Sequence, residues 1–202
     1  MIKSSLLTLL TLTSIAISAP APVAEKKAPE PHPTTVTFFI ANVECGECLD
    51  NIASSLKKVR SFTGVTGLTE DSGYANISFD SHANSYHEIA NAIATAKPAH
   101  DRPYVPTLKL RIPDYAKGDN AANVDKVFAK QAANVKVEAT DRAKGEFTVH
   151  FLPLKLDPAK TGPQGFNGGA FGHPIHDAPP KGLGLTFAFV REGVAKPAAK
   201  AK

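Results

Sequence analysis

The stretch Asn42-Val43-Glu44-Cys45-Gly46-Glu47-Cys48-Leu49-Asp50 decides how this chain is read, because it holds both cysteines of a 202-residue sequence. Upstream lies Val36-Thr37-Phe38-Phe39-Ile40, β-branched and aromatic, and so an extended strand over 34–40. Downstream, Leu49, Ile52, Ala53 and Leu56 recur at i, i+3, i+4 and i+7, one apolar stripe of a helix over 47–59. The two thiols therefore sit at a strand-to-helix turn and can both point outward. They can chelate a soft metal ion or close a short disulfide. Cys48 falls in the first helical turn, where free N–H groups and the positive dipole end favour thiolate, the metal-binding form.

Working outward, 62–70 reads as a second strand and Asp71-Ser72-Gly73 as a hairpin turn. In the third strand, 74–80, Ala75, Ile77 and Phe79 alternate with polar residues and mark the core face. A second helix over 84–96 carries Tyr86, Ile89, Ala90 and Ile93 on one stripe, and Pro98 ends it. The last strand is either Tyr104-Val105 or 107–112. The order strand, helix, strand, strand, helix, strand is a ferredoxin-like, split βαβ unit, and the fold class is α+β.

With Cys45-x-x-Cys48 at that junction, residues 35–105 resemble the heavy-metal-associated domain family. Its fold is that of copper chaperones, metal-ATPase N-terminal domains and exported mercury-binding proteins. The resemblance implies that Cys45 and Cys48 bind one soft or borderline ion, of the Cu(I), Zn(II) or Hg(II) kind. It also implies a metal-transporting or metal-accepting protein as partner. Two departures stand out: the family's Gly-Met pair is Asn42-Val43 here, and the residue before the first cysteine is Glu44. Val43 can pack beneath the loop in place of Met. Glu44 is either a third ligand, of a type that suits zinc better than Cu(I), or a solvated loop acid.

The second half repeats the rhythm. Strands are expected at 108–112, 135–139 and 147–151, a helix from Asp119 or Asn120 to Ala133, and a turn at Ala143-Lys144-Gly145. A degenerate second copy, in tandem and without cysteine, is expected over 107–192. It has Pro113-Asp114-Tyr115-Ala116-Lys117-Gly118 where the first copy has its motif. Its last helix is expected to give way to a Gly/Pro-rich loop over 157–184, before a returning strand at 183–190. In that loop, His173-Pro174-Ile175-His176-Asp177 reads as a turn, with His173 and His176 as secondary metal candidates. His82 and His87 are expected as surface or capping residues near the second helix, and His150 as structural.

The termini set the context. Lys3, an apolar run over 6–17, and small residues to Ala19 form an export signal, 1–19, cleaved after Ser18 or Ala19. A Pro/Ala-rich linker, 20–33, follows, the first domain takes 34–106, and 193–202 is a disordered tail. The mature protein is thus expected to be periplasmic or secreted, with no membrane span. Net charge is +4, and lysines at both ends supply part of it. No basic patch interleaves with aromatics, so nucleic acid is not an expected partner. No Ser/His/Asp set, phosphate-cradling loop or carboxylate pair points to an enzyme. The expected function is carriage or buffering of a soft metal ion. A thiol-disulfide protein using the same pair, and an interaction module with no metal role, are the alternatives.

Overall fold

The computed structural model describes residues 31–193. The expected signal 1–19, linker residues 20–30 and tail residues 194–202 lie outside the described residues. Among the described residues, seven strands and four helices follow one another, beginning with β1 (Pro33–Ala41), α1 (Gly46–Leu56), β2 (Phe62–Thr66), β3 (Tyr74–Asp80), α2 (Tyr86–Ala94) and β4 (Val105–Arg111). Then come α3 (Asn120–Ala129), β5 (Val135–Asp141), β6 (Glu146–Phe151), α4 (Gly169–His176) and β7 (Ala188–Phe189).

All seven strands belong to one sheet, in the order β2-β3-β1-β4-β6-β5, with β7 also on β4. Each pairing is antiparallel. The first four strands have the ferredoxin-like order, and so do β4, β5, β6 and β7 taken by themselves. The repeat expected from the sequence is therefore present, but as a fusion rather than a tandem. The expected division at 106/107 falls inside β4, which ends the first βαββαβ unit and begins the second. One edge of β4 carries β1 at Val105–Thr107 and β7 at Leu110 and Arg111, and the other edge carries β6. The two candidate last strands of the first unit, Tyr104-Val105 and 107–112, largely merge into this one element.

Alternation explains the layering. Val36, Phe38 and Ile40 of β1, Ala75, Ile77 and Phe79 of β3, and Leu108 and Leu110 of β4 are buried. They join Ile52 and Leu56 of α1, Ile89 and Ile93 of α2, Val124 and Phe128 of α3, and Phe171 and Ile175 of α4 in one continuous core. The repeat reaches individual hydrogen bonds: Ile40 N–H donates to Gly73 O at 2.9 Å, and Ile112 N–H to Gly145 O at 2.8 Å. Each ties the end of a unit's first strand to the glycine of its hairpin.

Two expectations need correction. Residues 157–184 are not a helix-less loop, because α4 forms inside them with Pro174 in its interior. Tertiary packing overrides the proline: Phe171 and Ile175 are fully buried, and the Phe171 ring lies 4.7 Å from Phe166 and 4.9 Å from Phe128. The second correction is His87, which is 1% exposed rather than on the surface. Phe166 N–H donates to its Nδ1 at 3.3 Å, so Nε2 carries the proton and donates to Leu152 O at 2.7 Å. The neutral ring thereby bolts the segment before α4 onto α2, and its burial holds its pKa below the ordinary histidine value. His82 stacks on His32 at 5.0 Å, and His150 of β6 sits 3.2 Å from the Glu138 carboxylate.

Candidate metal centre

The register of β1 and β4 builds the site. Ala41 pairs with Val105, so the loop leaving β1 (42–45) and the loop entering β4 (95–104) emerge side by side. Asn42 takes a left-handed conformation, φ 68°, which Asn tolerates better than most residues. Its Nδ2 donates to Pro103 O at 2.7 Å and joins the two loops. Val43 is buried beneath them, in the role expected for it. Asn42 thus makes a turn that glycine could make and adds a hydrogen bond that glycine cannot.

Cys45 is the N-cap of α1, and its sulfur accepts the Cys48 N–H at 3.4 Å. Cys48 lies one turn in, buried, with its Sγ 2.9 Å from that of Cys45. The third member is one the sequence reading missed: His100 Nε2 lies 3.2 Å from Cys45 Sγ. One ligand atom from each of Cys45, Cys48 and His100 lies within 4.8 Å of the others. Cys48 is enclosed, Cys45 half-exposed and His100 exposed, so the group opens to solvent on one side.

Electrostatics divide the two thiols. Burial pushes the Cys48 thiol up. Hydrogen bonds from the Cys45 thiol, the Glu44 and Cys45 backbone and the Tyr104 hydroxyl outweigh that and leave it below the ordinary cysteine value. Cys45 is held above that value, chiefly because its proton is shared toward Cys48. The pair therefore loses its first proton readily and its second reluctantly, unless an ion replaces the proton between the sulfurs.

Glu44, the candidate third ligand, is turned elsewhere. Its carboxylate pairs with Arg102, and His100 takes the place beside the sulfurs. His173 and His176 lie far along the chain on α4 and join no part of this group. The signal for His100 was available in principle. Once β1 and β4 are neighbours, a polar loop residue ahead of β4 must flank the loop that follows β1.

No family model matches the chain, and no curated protein does. Among solved structures, it is similar to oxidized MerP from Ralstonia metallidurans CH34, with 23% identity and a TM-score of 0.32, over 37% of this chain and 97% of that one. It is also similar to the water-soluble region of the P-type ATPase CopA from Bacillus subtilis, with 14% identity and a TM-score of 0.34, over 62% of this chain and 80% of that one. The functional reading therefore rests on the site's own geometry. Among the described residues, no helix is long and apolar enough to cross a membrane.

Proposed function

We propose that the chain is an exported carrier or buffer of one soft or borderline metal ion, of the Cu(I), Zn(II) or Hg(II) kind. Cys45, Cys48 and His100 hold the ion. The observation that carries this reading is the convergence of two thiols and one imidazole within 4.8 Å. The fit is close. Tetrahedral coordination at the usual Zn–S length sets the sulfurs about 3.8 Å apart. The present 2.9 Å has to open by less than 1 Å to reach that. Thiolates select soft ions, and the imidazole extends the range toward zinc.

Three donors leave a coordination position free on the exposed side. An incoming thiol of a metal-accepting partner can enter there before Cys45, the more exposed sulfur, lets go. That sequence describes transfer of cargo rather than catalysis. The apolar run at 6–17 supports export.

The test is metal analysis and Cu(I) and Zn(II) titration of the chain purified under reducing conditions. One ion per chain is expected, and its retention should be abolished in Cys45→Ser/Cys48→Ser. A Cys45→Ser variant that keeps full affinity for both ions would sink the proposal. The same 2.9 Å separation favours a second reading, a thiol-disulfide pair. That reading gains if the protein binds neither ion and instead exchanges disulfides with a dithiol substrate.

A further inference from the structure

The sequence singles out a second constellation, and its structure changes what it can do. As a turn, His173-Pro174-Ile175-His176-Asp177 would scatter its side chains. As the end of α4, it places His173 and His176 at i and i+3 in the last helical turn and Asp177 at the C-cap that follows. We propose that these three residues form a separate site for a borderline divalent cation such as Zn(II), held by two neutral imidazoles and one carboxylate.

Three observations carry this. The first is proximity: His173 Nδ1 lies 3.8 Å from Asp177 Oδ2, and both side chains border one cavity of about 380 Å³ together with His176. His176 is exposed and stands outside this pair, so a cation there requires its imidazole to turn inward.

The second is that the backbone beneath the trio is fixed. Leu183 N–H donates to Pro174 O at 2.9 Å, Leu185 N–H to Ile175 O at 2.9 Å, and Gly184 N–H to Asp177 O at 2.8 Å. The returning chain comes so close that a Cβ on Gly182 would sit 2.5 Å from Asp177 O. Gly168, Gly169 and Gly172 also line the cavity. A Cβ on Gly169 would approach the His173 ring to 3.1 Å, so glycine there leaves the imidazole room to rotate.

The third is charge. The trio lies at the C-terminal end of α4, where the helix dipole favours a cation. The donor set also differs from that of the thiol centre, with two imidazoles and a carboxylate against two thiols and one imidazole. Imidazole and carboxylate suit zinc and its neighbours, whereas thiolates select softer ions. The chain would then hold two ions of different character at two places.

The test uses the full-length chain with the thiol centre silenced, Cys45→Ser/Cys48→Ser, titrated with Zn(II) and with Co(II) as spectroscopic probe. One saturable equivalent is expected, with visible Co(II) bands of nitrogen and oxygen ligation. His173→Ala and His176→Ala should each weaken it at least about tenfold, and Asp177→Asn by a smaller factor. These side chains are surface groups, so the variants should fold. If the silenced background does not fold, the wild-type chain preloaded with one equivalent of Cu(I) under reducing conditions replaces it. The absence of saturable uptake overturns the proposal. So does uptake that survives His173→Ala/His176→Ala, or uptake removed instead by His32→Ala/His82→Ala at the stacked pair near β1 and β3. In the silenced background none of these results bears on whether the thiol centre binds metal.

Discussion

The two βαββαβ units place very different residues in the same loop. After β1 the first unit has Asn42 to Cys48, with two sulfurs turned toward a histidine. After β4 the second unit has Pro113 to Gly118, and its central side chain, Tyr115, is 2% exposed. The Tyr115 ring meets Phe147 edge-on at 4.8 Å. Its hydroxyl donates to Asp125 at 2.9 Å and accepts from Arg142 at 2.7 Å. One loop gathers its sulfurs beside His100 where the group opens to solvent, and the other turns its central side chain inward onto Asp125 and Arg142. Topology sets where a loop goes, and the loop's own residues decide whether it holds chemistry or cement.

The two units differ most sharply at their paired hairpin glycines. Gly73 and Gly145 both have positive φ, 61° and 65°, but a Cβ meets nothing within 4 Å at Gly73 and lies 1.9 Å from Ile112 O at Gly145. Gly145→Ala should cost about 3 kcal/mol or more, and Gly73→Ala about 1 kcal/mol. Urea denaturation of both variants checks this, and equal losses would refute the close approach in the second unit.

Next comes the bolt between α2 and the segment before α4. Replacing His87 by Ala takes the partner from the buried Phe166 N–H and from the part-buried Leu152 carbonyl, a loss of about 2 kcal/mol. Its pH signature has a definite sign. The folded-state pKa is lowered, so the stabilisation is fully present above the unfolded value of about 6.5 and is lost as pH falls below it toward the folded value. Wild-type stability should therefore fall faster than that of His87→Ala through mildly acidic pH. Parallel profiles would show that the ring is not held neutral.

At the centre itself, His100→Ala should weaken metal binding about tenfold, or about 1.4 kcal/mol, while leaving the thiols competent. Unchanged affinity in a competition titration would reduce the site to its two sulfurs. The smallest effect belongs to Arg102→Ala. The ion pair with Glu44 has both side chains about half exposed, 57% and 49%, so stability should stay within about 0.5 kcal/mol of wild type. A larger loss would mean that the pair shapes the loop.

Much of this was legible from residues alone. The alternation in Tyr74 to Asp80 located β3 to the residue. The stripe from Leu49 to Leu56 located α1, and the Cys45–Cys48 junction located the centre. What escaped depended on contacts remote in sequence. His100 joins the centre only because β4 lies against β1, a pairing that no local pattern states. Glu44 stayed open between third ligand and solvated loop acid because Arg102, 58 residues away, was not in view. His87 looked like a surface residue until Leu152 and Phe166 enclosed it. Pro174 argued against a helix that Phe128 and Phe166 hold in place from outside. The two separate domains became one sheet because β4 satisfies both repeats, which periodicity cannot distinguish from two adjacent strands.

That shared strand makes the chain indivisible. Ordinary tandem repeats can be cut apart, shuffled or lost one at a time, because each keeps its own hydrogen-bonding edge. Here a break before β4 strips the first unit of an outer strand, and a break after it leaves the second without its founding one. The thiol loop therefore cannot be inherited, transplanted or discarded without its cysteine-free companion. Any lineage that keeps the thiols must also keep a sound fold some seventy residues further along the chain.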